Sequence, residues 1–410
     1  MNTSLPKMLL VAHYQEGMGF TRVANHFKNA AKAHFEIHQY AYLYKGGKFI
    51  DEDGIHIHPD VQKPDDQFGA KAIGKLLGEL QPDLFFIIFE ISYVRFVLEA
   101  LRYKTKPVVS AAYLAVDGLL YKRRKMLSKL SKLDMVVWYT HATKNHVEDL
   151  LTEQPSLLPS RMPFFVIPHG VETNFFYPIN TDPEAGFRVD RTAIKKEMFP
   201  TLSNVENTFI VFNGNRIDPR KNIEVTIEGF AKFAADKPEG VKLYLHKLTD
   251  KDLYYHQMIK DLGIEDRIIH EFLDGQVNYA DNATLNKIYN ACDVGINTCT
   301  AEGWGLVSCE HGATGAPQIL PKHTAFPEIW DQAAEWIVPE DQSQPGYTPH
   351  FVFDLDSSRV AEALEKLYRD KPYYQQKSSE CFQRMNRESL QWASIEKQWG
   401  NVLQRLFTYS

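Results

Sequence analysis

The chain has 410 residues, of which 44% are hydrophobic and 24% charged, and its formal net charge is −6. That length allows two domains with ordinary cores, and a mildly acidic chain argues against non-specific nucleic-acid binding. The four cysteines form no CxxC pair, so they are expected to be buried or partly buried thiols in a reducing compartment. The sequence shows neither a signal peptide nor an apolar run of about 20 residues, which predicts a cytoplasmic protein.

Short apolar, β-rich runs alternate with amphipathic stretches of helical length along the first half of the chain. Runs that are apolar on both faces suit parallel strands covered by helices. Helices are predicted at 21–34 and 71–80. The predicted strands are 7–14, 35–42, 83–90, 107–114, 135–140 and 164–170.

A second series with the same alternation follows, with helices predicted at 223–236 and 285–292. Its predicted strands are 208–215, 242–248, 267–272, 293–299, 318–321 and 335–339. Two such series predict an α/β protein with two doubly wound domains. Ligands of open α/β sheets bind at the carboxyl ends of the strands, so the cleft between the domains is the expected site.

The segment YPINTDPEAGFR (177–188) is rich in proline, glycine and polar residues and is predicted to be the linker and hinge. The region from about 360 to 410 is predicted to be helical, with Trp392 and Trp399 on one amphipathic stretch. The predicted limits are 1–176 for the first domain, 177–205 for the linker and entry to the second, 206–385 for the second domain, and 386–410 for a helix that packs back on the first.

The segment NTCTAEGWGLVSCEHGATGAP (297–317) follows a predicted strand and holds two glutamates eight positions apart. Glu302 lies in a loop with Gly303 and Gly305, and Glu310 lies about one turn into a predicted helix that ends before Gly315. The start of that helix, around Trp304 and Leu306, presents free backbone N–H groups and a partial positive charge. Such a terminus binds anions, and the glycines let a phosphate approach the backbone closely.

The spacing of the two carboxylates suits a nucleotide sugar. Eight helical residues rise about 12 Å at ~1.5 Å each, which is the order of length that separates the sugar of such a donor from its ribose. Glu310 is therefore predicted to bind the ribose diol, the helix terminus the phosphates, and Glu302 the transferred sugar. Either glutamate in isolation would be read as a solvated surface residue.

The segment NGNRIDPRKNIEVTI (213–227) follows the first strand of the second domain and supplies cations. Arg216 and Lys221 are five positions apart in a turn marked by Asp218 and Pro219. Both are predicted to stabilise the charge that develops on a leaving diphosphate, although in isolation they would be read as surface charges. Arg220 is expected to face solvent.

The segment EGWGLVSCE (302–310) resembles the E-x7-E motif of the retaining GT-B glycosyltransferases often called family 4, the glycosyl transferases group 1 type. Arg216 and Lys221 resemble that family's G-R-x4-K motif, with Asn215 in place of the glycine. Two further segments are similar to the family's hinge entry and to its G-G-x-P-E loop, namely VIPHGVETNFFYP (166–178) and HTAFPEIW (323–330). The likeness covers 165–345 and is mainly architectural over 1–160.

The resemblance implies a GT-B fold, with two Rossmann-like domains facing a central cleft and C-terminal helices crossing back to the first domain. It implies a retaining hexosyltransferase that moves a sugar from a UDP- or GDP-sugar to a hydroxyl of a glycan, a lipid-linked or a small-molecule acceptor. No metal and no other cofactor is expected, because Arg216, Lys221 and the loop amides would do the work of Mg²⁺. In the family picture the leaving phosphate helps to deprotonate the acceptor.

The first domain offers weaker signals. Gly17 and Gly19 follow the first predicted strand and would approach the donor phosphates, as the resemblance implies, or would only form a tight turn. The family often carries a histidine after the fourth strand of this domain, where this chain has Val116 and Asp117. Asp117 is predicted either to take a polar, catalytic role in the cleft or to cap a helix.

The stretch YKRRKMLSKLSKL (121–133) is basic, with apolar residues at helical spacing. It could contact an anionic membrane from the cytoplasmic side or be a solvated basic helix. Two other functions stay open: a nucleotide-sugar epimerase of the same two-domain plan, and a noncatalytic nucleotide-sugar binder.

Overall fold

The computed structural model describes residues 5–15, 17–61, 66, 68–121, 126–158, 162–181, 187–269, 280–346 and 348–408. The chain folds into two compact units, each built from separate stretches of sequence. The first unit comprises Met1–Gly170, Gly346–His350 and Trp392–Ser410, and the second comprises Val171–Pro345 and Phe351–Gln391.

Strands of the described residues are numbered here in chain order. Those of the first unit are β1 Lys7–His13, β2 Glu36–Tyr42, β3 Phe49–Ile50, β4 His56–Pro59, β5 Leu84–Glu90, β6 Val109–Ala115, β7 Met135–Trp138 and β8 Phe164–Val166. Those of the second unit are β9 Phe209–Asn213, β10 Val241–Leu245, β11 Val294–Ile296, β12 Gln318–Pro321, β13 Glu335–Ile337, β14 Asp341–Ser343 and β15 Val352–Asp354.

The α-helices are numbered in the same way. The first unit contains α1 Gly19–Ala31, α2 Ala70–Leu80, α3 Ile91–Val97, α4 His141–Glu153 and, near the end of the chain, α13 Trp392–Thr408. The second unit contains α5 Thr192–Met198, α6 Ile223–Ala234, α7 Leu253–Asp261, α8 Asn282–Ala291, α9 Leu306–Ala313, α10 Phe326–Trp330, α11 Ser357–Arg369 and α12 Lys371–Met385. Among the helices of the described residues, none is long and apolar enough to cross a membrane.

The sheet of the first unit has the order β3-β4-β2-β1-β5-β6-β7-β8, and only the β3–β4 pair is antiparallel among its described strands. Helices cover both faces, so β5 is apolar throughout. On one face Phe85 packs in a cluster with Leu77 of α2. On the other face Phe86 stacks on Phe27 of α1 at 4.3 Å, and the Trp399 ring of α13 meets Phe27 edge-on at 5.0 Å.

The second unit contains a parallel sheet of order β10-β9-β11-β12-β13 and the antiparallel pair β14–β15. The chain places β10 on one side of β9 and then β11 on the other. The carboxyl ends of β9 and β11 therefore flank the point where the strand order reverses, which is where such sheets bind ligands. These two sheets, parallel except for the β3–β4 pair, confirm the predicted doubly wound α/β class.

Several strands differ from the predicted elements. The strands β3 and β4 were not expected, because one has two residues and the other is the polar sequence HIHP. The strand predicted at 267–272 is wrong for its described part: Glu265–Arg267 forms a 3-10 turn, and Ile268 makes only an isolated bridge to Leu243. Residues 270–272 lie outside the described part of the chain.

Residues 177–181 of the predicted linker belong to the second unit. The backbone N–H groups of Tyr177 and Ile179 donate to the side-chain oxygens of Asn286 and Asn290 on α8, at 3.2 and 2.9 Å. Residues 182–186 lie outside the described residues. The role of this segment as a hinge stays a prediction.

The apolar residues of the basic stretch 121–133 do not form an exposed face. Met126, Leu127, Leu130 and Leu133 are buried in the core of the first unit, and contact of this stretch with a membrane stays a prediction. The basic residues 122–125 lie outside the described residues. All four cysteines are free and buried, as predicted.

Candidate active site

Two loops of the second unit leave the carboxyl ends of β9 and β11 and lie side by side. The backbone N–H of Thr300 donates to the carbonyl oxygen of Arg220 at 2.8 Å, which ties the two loops together. A side chain on Gly214 would place its Cβ 2.8 Å from the Cγ1 of Val307, so the first loop packs against the first turn of α9. The segments that carry the predicted cations and the predicted carboxylates therefore meet.

The cation-bearing turn has a fixed local geometry. Pro219–Lys221 forms one 3-10 turn, in which the Asp218 carboxylate accepts the backbone N–H of Arg220 at 2.9 Å. Asn222 follows with φ 49°, a left-handed conformation that asparagine tolerates better than most residues. The turn thus begins with a capped N-terminus and ends at a sharp reversal into α6.

A chain of buried hydrogen bonds holds this turn against the sheet. The side-chain amide of Asn213 donates to Thr226 at 2.9 Å, the hydroxyls of Thr226 and Thr298 lie 2.7 Å apart, and Thr298 donates to the carbonyl oxygen of Asn222 at 2.8 Å. The three side chains are at most 1% exposed. Each donor in this series of hydrogen bonds has an acceptor in the next group. The series therefore holds in place the backbone of the turn that carries Lys221.

Glu302 is the centre of a buried ionic cluster. Its carboxylate accepts a hydrogen bond from the Lys221 ammonium and lies 3.4 Å from the Arg220 guanidinium. The residue is 7% exposed, and burial acts to raise its pKa, but the charges of Lys221 and Arg220 outweigh burial and lower the pKa to about 2. Glu302 is therefore ionised at neutral pH and can accept hydrogen bonds from hydroxyl groups.

The expectation that Arg220 faces solvent is wrong. Its guanidinium also donates to the carbonyl oxygen of Ala301 at 2.7 Å, and its side chain is 18% exposed. The reason is the backbone bond from Thr300, which brings the second loop alongside Arg220 so that its side chain reaches the same carboxylate as that of Lys221.

A third loop supports the backbone of Glu302. The Glu302 N–H donates to the hydroxyl of Thr324 at 3.2 Å, and Thr324 has φ 48°, where a β-branched residue is strained. The preceding His323 binds the carbonyl oxygen of Cys299 at 2.9 Å and stacks on Phe353. This segment is the one that resembles the G-G-x-P-E loop, so a threonine hydroxyl here does work that a glycine could not.

Replacing Thr324 by valine is expected to lower the free energy of unfolding by about 1–3 kcal/mol, because the N–H of Glu302 loses its acceptor. Glycine at this position loses the same acceptor but removes about 1 kcal/mol of left-handed strain, so Thr324→Gly should be less destabilised. Urea denaturation measures both, with Thr152→Val on the exposed surface of α4 as the control. Equal stability of Thr324→Val and the parent chain would contradict this role.

The start of α9 lies in a glycine-containing loop, and its role as an anion site stays a prediction. Gly305 precedes the helix with φ 89°, and no side chain caps the first turn. A Cβ on Gly305 would lie 2.6 Å from the Phe326 ring, so only glycine fits. Gly303 and Trp304 are buried, while Gly305 and Leu306 are half-buried.

Glu310 lies one turn into α9 and is 5% exposed. The hydroxyl of Tyr289 on α8 donates to its Oε2 atom at 2.8 Å. Tyr289 in turn stacks on His311 and meets Phe212 edge-on, which fixes its ring. The surface-residue interpretation of Glu310 and of Glu302 is therefore wrong, because the chain buries both carboxylates.

A Tyr289→Phe substitution is expected to cost about 1–3 kcal/mol of unfolding free energy, since a buried carboxylate loses a donor. If Glu310 binds the donor nucleotide, KM for the donor should rise more than kcat falls. Tyr254→Phe is the matched control, because Tyr254 is 64% exposed. A Tyr289→Phe variant with unchanged stability and unchanged KM would refute the positioning role of Tyr289.

The remaining predicted site residues are not in this cluster. Arg216 is exposed and forms no hydrogen bond or ion pair within the described part of the chain, so its phosphate-binding role stays a prediction. Gly17, with φ 78°, and Gly19, the first residue of α1, are exposed at the carboxyl end of β1 in the first unit. Asp117 is half-buried just after β6, and residues 118–121 are not helical, so the helix-cap alternative is wrong.

The sequence alone does not indicate the residues that support the site from other segments. Thr324, Tyr289 and the Asn213–Thr226–Thr298 chain come from parts of the sequence far from the residues they support. Of these supporting residues, Arg220 could have been recognised from the local sequence. It lies next to Lys221 in a turn that Asp218 and Pro219 already indicate.

Residues 194–379 match the family "Glycosyl transferases group 1". A probable sucrose-phosphate synthase of Thermosipho melanesiensis is 27% identical over 245 residues, which are 59% of this chain and 47% of that protein. A mannosylfructose-phosphate synthase of Agrobacterium fabrum is 25% identical over 198 residues, 46% of this chain and 38% of that protein. The chain thus spans about half, or less, of the length of the curated relatives it matches.

Solved structures are similar over nearly the whole chain. The sucrose-phosphate synthase from Thermosynechococcus elongatus superposes with a TM-score of 0.73 at 15% identity, covering 99% of this chain and 100% of that chain. HepE of Anabaena in complex with UDP-glucose gives a TM-score of 0.69 at 17% identity, with 98% and 100% covered. At these identities the likeness shows the fold, and it confirms the predicted GT-B class.

Proposed function

We propose, from the match of residues 194–379 to the family "Glycosyl transferases group 1", that the protein is a hexosyltransferase using a nucleoside-diphosphate sugar. The observation that carries the proposal is the buried cluster of Lys221, Arg220 and Glu302 at the carboxyl ends of β9 and β11. Two cations and one carboxylate leave a net charge of about +1 beside the uncapped start of α9, which suits a diphosphate.

The donor would lie across the start of α9. Its diphosphate faces the free N–H groups there, its ribose reaches Glu310, and its hexose reaches Glu302, whose ionised carboxylate accepts hydroxyl hydrogens. Arg216 is exposed on the loop that packs against α9 and would add a guanidinium to the phosphates. The role of Gly17 and Gly19 at the donor phosphates stays a prediction.

Lys221 and Arg220 would act mainly in the transition state. The diphosphate gains negative charge as the glycosidic bond breaks, and cations already held in place by Glu302 need no reorganisation at that moment. Bound Mg²⁺ does this work in other enzymes, so we propose transfer without a metal. Retention of configuration then follows if the leaving phosphate takes the acceptor proton on the same face of the sugar.

The nucleobase of the donor and the class of acceptor are proposed only from the names of similar proteins. The two curated relatives are named as synthases of sugar phosphates, and a solved structure of the same fold holds UDP-glucose. These names favour a UDP-hexose donor and a phosphorylated sugar as acceptor, rather than a glycan or a lipid-linked acceptor. A peripheral membrane contact would rest on the basic side chains of 121–133.

The test is a turnover assay with the full chain in the presence of EDTA. UDP-, GDP- and ADP-hexoses are each incubated with hexose phosphates and with the free hexoses, and the released nucleoside diphosphate is measured. Proton NMR of the product gives its anomeric configuration. We expect release that depends on both donor and acceptor, with the α-configuration of the donor retained.

Other outcomes would replace the proposal. An isomerised sugar nucleotide formed without any acceptor would identify an epimerase. Saturable donor binding without turnover on any acceptor would favour a noncatalytic binder. Activity that disappears with EDTA and returns with Mg²⁺ would leave the transferase standing and refute metal independence.

A further inference from the structure

Three histidines and a glutamate meet on one face of the sheet in the first unit. Glu36 and His38 lie on β2, and His56 and His58 lie on β4. Alternate residues of a strand point to the same face, so each E-x-H or H-x-H pair shares one. The strands pair in parallel with His38 directly opposite His56, which brings the four side chains together.

The distances within this cluster suit a metal ion. His38 Nε2 lies 2.8 Å from Glu36 Oε1, and the His38 and His56 rings stack with centroids 4.3 Å apart. One ligand atom from each of Glu36, His38 and His56 lies within 4.8 Å of the other two. A tetrahedral cation with bonds of about 2.1 Å holds its ligand atoms about 3.4 Å apart. Small side-chain rotations that open the Glu36–His38 hydrogen bond would therefore admit one.

The four side chains are partly or fully buried, and the site can still be reached from solvent. His38 and His58 are each 5% exposed, while Glu36 and His56 are half-buried and leave a path from solvent. Metal ions bind the neutral form of imidazole and the ionised form of a carboxylate, so three histidines beside a glutamate supply suitable ligand types.

His58 supplies the outer contact that histidine ligands need. Its Nε2 atom lies 3.2 Å from Nδ1 of His38, so the two rings share one hydrogen. When His38 ligates through Nε2, its Nδ1 carries the proton and donates it to His58. A hydrogen bond on the second ring nitrogen fixes the tautomer and the orientation of a metal-binding histidine.

We propose that Glu36, His38 and His56 form a binding site for a divalent cation of the zinc type, with His58 as its outer partner. Two imidazoles and one carboxylate suit Zn²⁺ and its neighbours, whereas Mg²⁺ and Ca²⁺ take oxygen ligands. Glu36 and His38 lie at the amino end of β2, the opposite edge of the parallel sheet from the loop that holds Gly17. The cation cross-links β2 and β4 and stabilises this side of the sheet, independently of the proposed transferase function.

The test uses the full chain stripped with a chelator, titrated with Zn²⁺ by calorimetry and with Co²⁺ by visible absorption. We expect one strong site, a higher Tm with Zn²⁺, no such rise with Mg²⁺, and a Co²⁺ spectrum of mixed nitrogen and oxygen ligation. His38→Gln and His56→Gln should each abolish the site. His58→Gln should weaken Zn²⁺ binding by about 10-fold or more. His34→Gln, outside the cluster, should change nothing.

Absence of strong Zn²⁺ binding would overturn the proposal, and so would binding that survives in both His38→Gln and His56→Gln. Should the buried His38 variant fail to fold, the half-buried His56 decides, because its replacement disturbs less packing. Neither outcome bears on sugar transfer, which is assayed separately with EDTA.

Discussion

A Lys221→Met variant is expected to lose about 100- to 1000-fold in kcat, the cost of removing one preorganised group that stabilises transition-state charge. It should also lose about 3 kcal/mol of unfolding free energy, the lower end for breaking a buried ion pair, because Arg220 stays beside the carboxylate. Lys221 is 8% exposed, so water does not replace the lost ammonium.

The matched control is Lys287→Met. Lys287 also pairs with a glutamate, Glu197, but both side chains are about half exposed. A surface pair of this kind contributes at most about 1 kcal/mol, so stability and kcat should hardly change. Measuring kcat on protein that circular dichroism shows to be folded separates chemistry from stability. Parental kcat in a folded Lys221→Met variant would end the assignment of Lys221 to the leaving diphosphate.

The second large effect is expected at Glu302. Glu302→Gln keeps the shape of the side chain but leaves Lys221 and Arg220 buried beside a neutral amide, which should cost about 3 kcal/mol at neutral pH. Because the carboxylate positions these cations and is proposed to bind the hexose, kcat should fall by about 100-fold or more. Glu239→Gln, which changes an exposed carboxylate, is the control.

The stability difference between the parent chain and Glu302→Gln should depend on pH in a defined window. The pKa of Glu302 falls from its ordinary 4.5 to about 2 on folding. A depressed carboxyl pKa stabilises the folded chain above the unfolded value, and this stabilisation is lost as the pH drops toward the folded value. Urea titrations from about pH 7 to about pH 3 should show a constant difference above about pH 5 and a shrinking one below. A difference that does not shrink would mean that Glu302 is not held ionised by its partners.

Much of this site could be predicted because its parts end parallel strands. Lys221 and Glu302 are 81 residues apart in sequence, yet each follows a strand of one predicted sheet, and neighbouring parallel strands end at the same edge. The start of α9 could also be predicted, because Gly305 and the residues after it have the local sequence signature of a helix terminus. The family motifs then agreed with what the positions already indicated.

The rest depends on contacts that local patterns do not encode. The sequence does not show that Thr300 binds the backbone of Arg220, and without that bond Arg220 is read as an exposed cation. Thr324 reaches Glu302 only through the loop after β12, and Tyr289 reaches Glu310 only because α8 packs beside α9. The cluster around His38 was missed for the same reason: each strand carries half of it, and neither half has the spacing of a metal motif on its own.

The split of the first unit has a consequence for synthesis on the ribosome. Trp399 packs on Phe27 and Tyr113, yet Trp392–Ser410 follows Gly170 only after about 220 further residues. At about 5–20 residues per second, their translation takes roughly 10–45 s. Until then the nascent chain carries uncovered aromatic rings of α1 and the sheet, a surface that chaperones recognise and that favours aggregation.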